Sequence, residues 1–240
     1  MEYLNFPSLF VLLEVNRYNV ELRLYMNKEK EKLNQFVQDI EFLLISVIQG
    51  VALASLANYA SNPIGNLQFE YYLYVLSGFI LILNFWAQAI LHTLSFIDWP
   101  IDLPHYFLYF LVSFIEVIAF SYLTNPLRWF AFISLFFIVA SFLYLFDLLL
   151  IVKHEKKLEK KGRGELYKHI VNRQKYELYK LLPLGFIFNI LSFCLILFFP
   201  QLFIIKRYHI LLVAIQVIIS LFVMIDFIKS FNKRSYLISH

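Results

Sequence analysis

Residues 103–125 read LPHYFLYFLVSFIEVIAFSYLTN, an apolar run interrupted by a single carboxylate, Glu116. Wound as a helix at 1.5 Å per residue, the run reaches about 34 Å, enough to cross the ~30 Å hydrocarbon core of a bilayer. A charge at that depth costs on the order of 2 to 3 kcal/mol on insertion scales, so Glu116 calls for a partner or a role inside the protein.

Five further stretches have the same character, at 40–60, 71–97, 129–152, 181–199 and 209–228. None shows the segments of about ten alternating residues that a transmembrane barrel requires. The expected fold class is therefore all-α, a polytopic membrane protein of six transmembrane helices. Composition agrees: 60% of the 240 residues are hydrophobic, 16% are charged, and mean hydropathy is +0.67, outside the usual range of soluble domains.

The net charge of +4 raises the question of nucleic acid, and placement answers it. With the N-terminus inside, all 21 basic residues except Arg128, Lys206 and Arg207 fall on the inner side. This positive-inside asymmetry puts both termini and the basic segment 153–180 in the cytoplasm of a cell (inner or plasma) membrane. The expected partners are the lipid bilayer and its anionic headgroups rather than nucleic acid, with a cytoplasmic protein as a further candidate. Six spans are few for a carrier, so a homo-oligomer is also expected.

The chain divides into an interfacial segment 1–39, spans one to four over 40–152, and a basic helical hairpin 153–180 broken at Gly162-Arg163-Gly164. Spans five and six over 181–228 and a cytoplasmic tail 229–240 complete it. Within 1–39, Phe6, Leu9, Phe10 and Leu13 share a helix face, whereas Val20, Leu22 and Leu24 alternate as in a strand. An amphipathic helix on the membrane surface is favoured, with a short hairpin as the alternative. No basic n-region or small-residue cleavage site opens the chain, so the first span is expected to serve as the targeting signal. Asn125-Pro126 predicts a tight turn into span four. Ser46, Gly50, Ala54 and Asn58 form a small-residue stripe on span one, read as ordinary helix packing.

Depth in a membrane helix can be counted. Measured from the inner boundary near Ile97 and Pro104, Asn84 and Glu116 both lie roughly 18 to 20 Å deep. Gln49 and Gln216 count to roughly 13 to 20 Å, with Asn189 slightly shallower. Ser77, Asn84, Gln88 and His92 line one stripe of span two, and Tyr109, Ser113 and Glu116 line one of span three. Because the two spans are hairpin neighbours, Glu116 is expected beside Asn84 or Gln88, and Tyr109 nearer His92. The pathway or binding candidates are thus Glu116, Asn84, Gln88, His92, Tyr109, Gln49 and Gln216.

His92, Asp98, Asp102 and His105 cluster near the inner face and are weak candidates for a divalent cation, since no pair has the spacing of an established metal motif. Asp147 and Asp226 are expected to pair with nearby lysine or arginine. The single cysteine, Cys194, excludes an intrachain disulfide and a CxxC site. His154-Glu155-Lys156-Lys157-Leu158 lacks the second histidine of HExxH, and there is no TVGYG filter, GxSxG elbow or P-loop. No cofactor and no catalytic constellation is implied. The leading expectation is a small channel or transporter for cations, protons or a small solute, working through the polar stripe around Glu116. The alternative is a non-catalytic scaffold or regulator that holds a cytoplasmic partner or anionic lipid through its basic hairpin. An enzyme acting near the headgroups through His92, Asp98 and His105 is the third.

Overall fold

In a computed structural model, which describes residues 6–95, 103–159 and 164–239, every element is helical and no strand occurs among the described residues. The helices are α1 (Phe6–Gly65), α2 (Tyr72–Ser95), α3 (Leu103–Phe120), α4 (Pro126–Glu159), α5 (Gly164–Tyr176), α6 (Leu182–Phe198) and α7 (His209–Ser239). A 3-10 turn over Phe69–Tyr71 leads into α2, and π-helical turns over Glu177–Leu181 and Gln201–Ile205 flank α6.

Five segments are long and apolar enough to cross a membrane: Leu24–Gly65, Phe69–Leu91, Pro126–Lys153, Gly164–Phe198 and His209–Arg234. The remaining apolar helix, Pro104–Phe120, is shorter. It stops short of the end of the apolar run at Asn125 because the chain turns over Ser121–Thr124. The Ser121 hydroxyl donates to the Ile118 carbonyl at 2.7 Å, taking up an acceptor that helix ends leave open. Asn125 then caps α4, accepting the Arg128 N–H at 3.1 Å, with Pro126 at the first helical position.

Residues 6–65 form one unbroken helix, so the hairpin alternative for the N-terminal segment is overturned. The alternation at Val20–Leu24 yields to flanking helix formers and to ion pairs of helical spacing, Arg17 with Glu21 at 3.2 Å and Lys32 with Glu29 at 2.9 Å. The packed face of α1 is Ile45, Ile48, Gln49, Ala52, Leu56 and Ala60. The small stripe Ser46, Gly50, Ala54 and Asn58 turns outward, and nothing in the chain lies within 4 Å of a Cβ placed on Gly50. Helical period explains the correction, because the larger apolar residues at 3- and 4-residue spacing claim the interior.

Helix neighbours differ from the expected hairpin order. The α1 helix packs on both α2 and α3, α2 continues against α7, and α3 continues against α4. The α4 helix also holds α6 and α5, and α5 reaches α7. The α4–α6 seam is tight: a Cβ on Gly185 would overlap the Phe137 ring. Two apolar cores result. One, at the end that carries α5, gathers Phe85, Tyr109, Val112, Phe136, Tyr144 and Leu166. The other, at the opposite end, gathers Tyr74, Phe120, Trp129, Phe130, Ile196 and Val213. Large apolar side chains such as Leu43, Phe107, Phe114, Phe142, Leu191 and Phe222 remain on the outside, a surface suited to hydrocarbon.

Candidate functional site

The polar stripe of α2 lines a file of three small cavities. At the α5 end, a cavity of about 40 Å³ is bounded by Gln88 and Thr93 of α2, Glu41 of α1, His105 and Tyr109 of α3, and Asp147 of α4. Next along the stripe, a cavity of about 100 Å³ meets Asn84, Gln88, Tyr144, Glu177 and Ser220. The third, about 30 Å³, meets Ser77, Asn189, Gln216 and again Ser220. Phe85, Gln88 and Tyr144 wall both of the first two. Leu81, Phe137, Gly185, Ile219 and Ser220 wall both of the last two. Each exceeds the roughly 10–15 Å³ that one water needs, and each offers polar partners.

Hydrogen bonds fix the lining. The Gln88 amide donates to Glu177 at 3.1 Å, and the Asn84 amide donates to the Ser220 carbonyl at 3.2 Å. Glu177 also receives Arg173, whose other end pairs with Asp226 of α7. Glu177 stands in a π turn for a local reason. Pro183 has no N–H to continue the α ladder, and the Leu182 N–H bonds the Glu177 carbonyl, one residue wider than in an α-helix. At the α5 end, the Tyr106 hydroxyl donates to Glu41 at 2.7 Å, and His105 Nδ1 lies 2.9 Å from Asp147 Oδ1. Beyond the third cavity, Tyr74 OH and His209 Nδ1 meet at 3.0 Å, and Arg207 reaches Glu70 at 3.4 Å.

Glu116 stands off this file and is fully buried. It is not placed beside Asn84 or Gln88, as hairpin order had suggested, because α2 turns its stripe toward α6 and α7 while α3 presents its own to α1. The Gln49 amide donates to Ser113 at 3.4 Å and is the polar side chain that faces both Glu116 and Tyr109. Neither Glu116 oxygen nor the Tyr109 hydroxyl meets a partner in hydrogen-bond geometry. Tyr109 links this pocket to the file, since its ring stacks on Phe85 at 4.9 Å and lines the first cavity.

Gln216 and Asn189 form a satisfied clamp. Trp129 Nε1 donates to Gln216 at 3.0 Å, Gln216 donates to Asn189 at 2.8 Å, and Asn189 donates to the Gly185 carbonyl at 2.7 Å. The inner cluster is only partly placed. Asp98, Asp102 and the His92 side chain lie outside the described residues, and His105 is engaged with Asp147. Asp147 meets His105, and Asp226 pairs with Arg173 as expected. Among the described residues, no group of three or more His, Cys, Asp or Glu is arranged to hold a metal ion.

Sequence reading missed Glu41, Glu177 and the Tyr74–His209 pair. Tyr74 was within reach, because it stands one turn from Ser77 on the same helix. Glu41 and Glu177 carry no comparable signal, since each lies where a charged helix enters the bundle. No family model, curated protein or solved structure matches the chain.

Proposed function

We propose that this chain is a six-span membrane transport protein, both termini cytoplasmic, that passes protons or a small cation along the polar face of α2. The observation that carries the proposal is the file of wall-sharing cavities from Glu41 and Asp147 to Gln216. Their volumes favour a water-sized species, since sites for drug-sized molecules run to roughly 300–1,000 Å³. Glu41, Asp147 and Glu177 make the lining acidic, which favours a cation over an anion. In this reading α3 is the sixth crossing: its helix is about 27 Å long and lies between α1 and α4 inside the bundle.

Glu116 is a side branch that takes up and yields a proton, reached from the first cavity through Tyr109. The test is flux in vesicles reconstituted with the purified full chain. Asn84→Leu, which puts an apolar side chain at the middle cavity, is expected to lower flux at least about tenfold, the equivalent of ~1.4 kcal/mol at the barrier. Glu116→Gln should keep a flux but flatten its pH dependence. Undiminished flux in Asn84→Leu, or no protein-dependent flux in the parent, overturns the reading.

A further inference from the structure

Twelve exposed positions of α1 fall on one line. From Leu22 the line steps alternately by four and three residues through Met26, Glu29, Leu33 and Phe36. It continues through Ile40, Leu43, Val47, Gly50, Ala54 and Ala57 to Ser61, and every one of these residues is exposed. The buried line of the same helix, Ile45, Ile48, Ala52, Leu56 and Ala60, points to the other side. Alternating steps of four and three are the core positions of a heptad repeat, here kept for more than five heptads, beyond the three to four that mark a coiled coil.

Lipid accounts for the exposure of the later half of this line but not of the earlier half. Residues 28–32, Lys-Glu-Lys-Glu-Lys, hold the helix outside the hydrocarbon there. Leu22, Met26, Leu33 and Phe36 are nonetheless 44–62% exposed. Of the other large apolar side chains exposed between residues 21 and 36, Tyr25 flanks the line and Leu24 alone points away from it. An apolar row of this kind marks an interface.

We infer that α1 pairs with the α1 helix of a second copy of this chain, as a parallel two-stranded coiled coil that continues into the membrane. Copies of one chain insert with one orientation, so the two helices meet parallel. Ile40 and Val47 at the a positions, with Leu22 and Leu43 at d, follow the preference of two-stranded coils. Past Val47 the line narrows to Gly50, Ala54 and Ala57, small residues that let two helices approach closely within lipid. Glu29, held by Lys32 of its own chain at 2.9 Å, occupies a d position, where it packs beside Lys30 of the second copy. That single charged layer fixes the register. The seven large side chains from Leu22 to Val47 each expose roughly 100 Å², or roughly 700 Å² per copy, close to the ~800 Å² per partner of a standard specific interface. No residue of the cavity file lies on the line, so the pairing stands whether or not the chain transports.

The test is oxidative cysteine cross-linking in isolated membranes that carry the full chain, in a Cys194→Ser background. Two cysteines bridge only where their Cα atoms come within roughly 7 Å. Leu22→Cys and Phe36→Cys, two heptads apart, should each give a covalent dimer, because in a parallel pair every seam residue faces its own copy. An antiparallel pair could bridge at one of them at most. Lys28→Cys and Gln35→Cys, turned away from the line, should not cross-link. The purified full chain in detergent should have the mass of a dimer by light scattering, and Leu33→Glu combined with Phe36→Glu should weaken that dimer at least about hundredfold. Both side chains are exposed within one chain, so a monodisperse, helical monomer separates lost pairing from a lost fold. A monomeric parent, no bridge at Leu22→Cys or Phe36→Cys, equal bridging at Lys28→Cys and Gln35→Cys, or a dimer that the double variant retains in full overturns the inference.

Discussion

Glu116 and Gln88 differ in what surrounds them, and their variants should differ accordingly. Both oxygens of Glu116 are buried without a hydrogen-bond partner. Replacing an unmet polar group with one of apolar character is often neutral or stabilising. Glu116→Leu is therefore expected to leave the unfolding temperature unchanged or raise it, read by thermal denaturation in detergent, even as it alters the pH response of flux. A fall of many degrees would mean that Glu116 holds the bundle together. Gln88 instead donates to a buried carboxylate, and its removal leaves Glu177 short of one donor. Sequence made the α2 stripe legible because Ser77, Asn84 and Gln88 recur at helical period. It gave no azimuth, which is why Asn84 was assigned to Glu116 when it bonds Ser220 across the bundle.

Among the elements, α6 shows how a missing side chain and a missing donor shape the site. Gly185 lets α6 approach α4 until a Cβ would overlap the Phe137 ring, and both residues wall the second and third cavities. Gly185→Ala is expected to cost about 1–3 kcal/mol through overpacking, measurable as a shift in denaturant or thermal midpoint. Gly50→Ala, in open surroundings, is the control and should change nothing or stabilise slightly. The long apolar helices were readable from run length alone, and Asn125-Pro126 marked the start of α4. The π turn at Glu177 was not readable, although Pro183 marks where regular α geometry must give way. A helix within residues 1–39 was expected, but not its continuity with the first span in one helix from Phe6 to Gly65. Between Arg17 and Lys32 the helix is stabilised by local propensity and charge pairs, which leave no apolar period to join the two parts.

For the whole molecule, α5 is a packed part of the bundle. Leu166, Tyr167, Ile170 and Val171 are buried, and Gln174 donates to the Tyr144 carbonyl at 3.0 Å. Arg173 joins the π turn before α6 to α7, so one side chain ties three parts of the fold at the mouth of the middle cavity. Arg173→Gln strands the buried Glu177 charge and should cost about 3–5 kcal/mol. Combining Arg173→Gln with Glu177→Gln should recover much of that loss, and a double-mutant cycle with no coupling would count against the tie.

One dimension of α1 carries a mechanical consequence. The helix is about 90 Å long at 1.5 Å per residue, and Val37 is the first buried residue along its described length. In the portion before Val37 no described side chain is buried, and the portion beyond it carries Glu41 into the first cavity and Gln49 up to Glu116. No break separates the two. Torque applied to the portion before Val37 is delivered, without a joint to absorb it, to Glu41 and Gln49, the two side chains that reach the first cavity and Glu116.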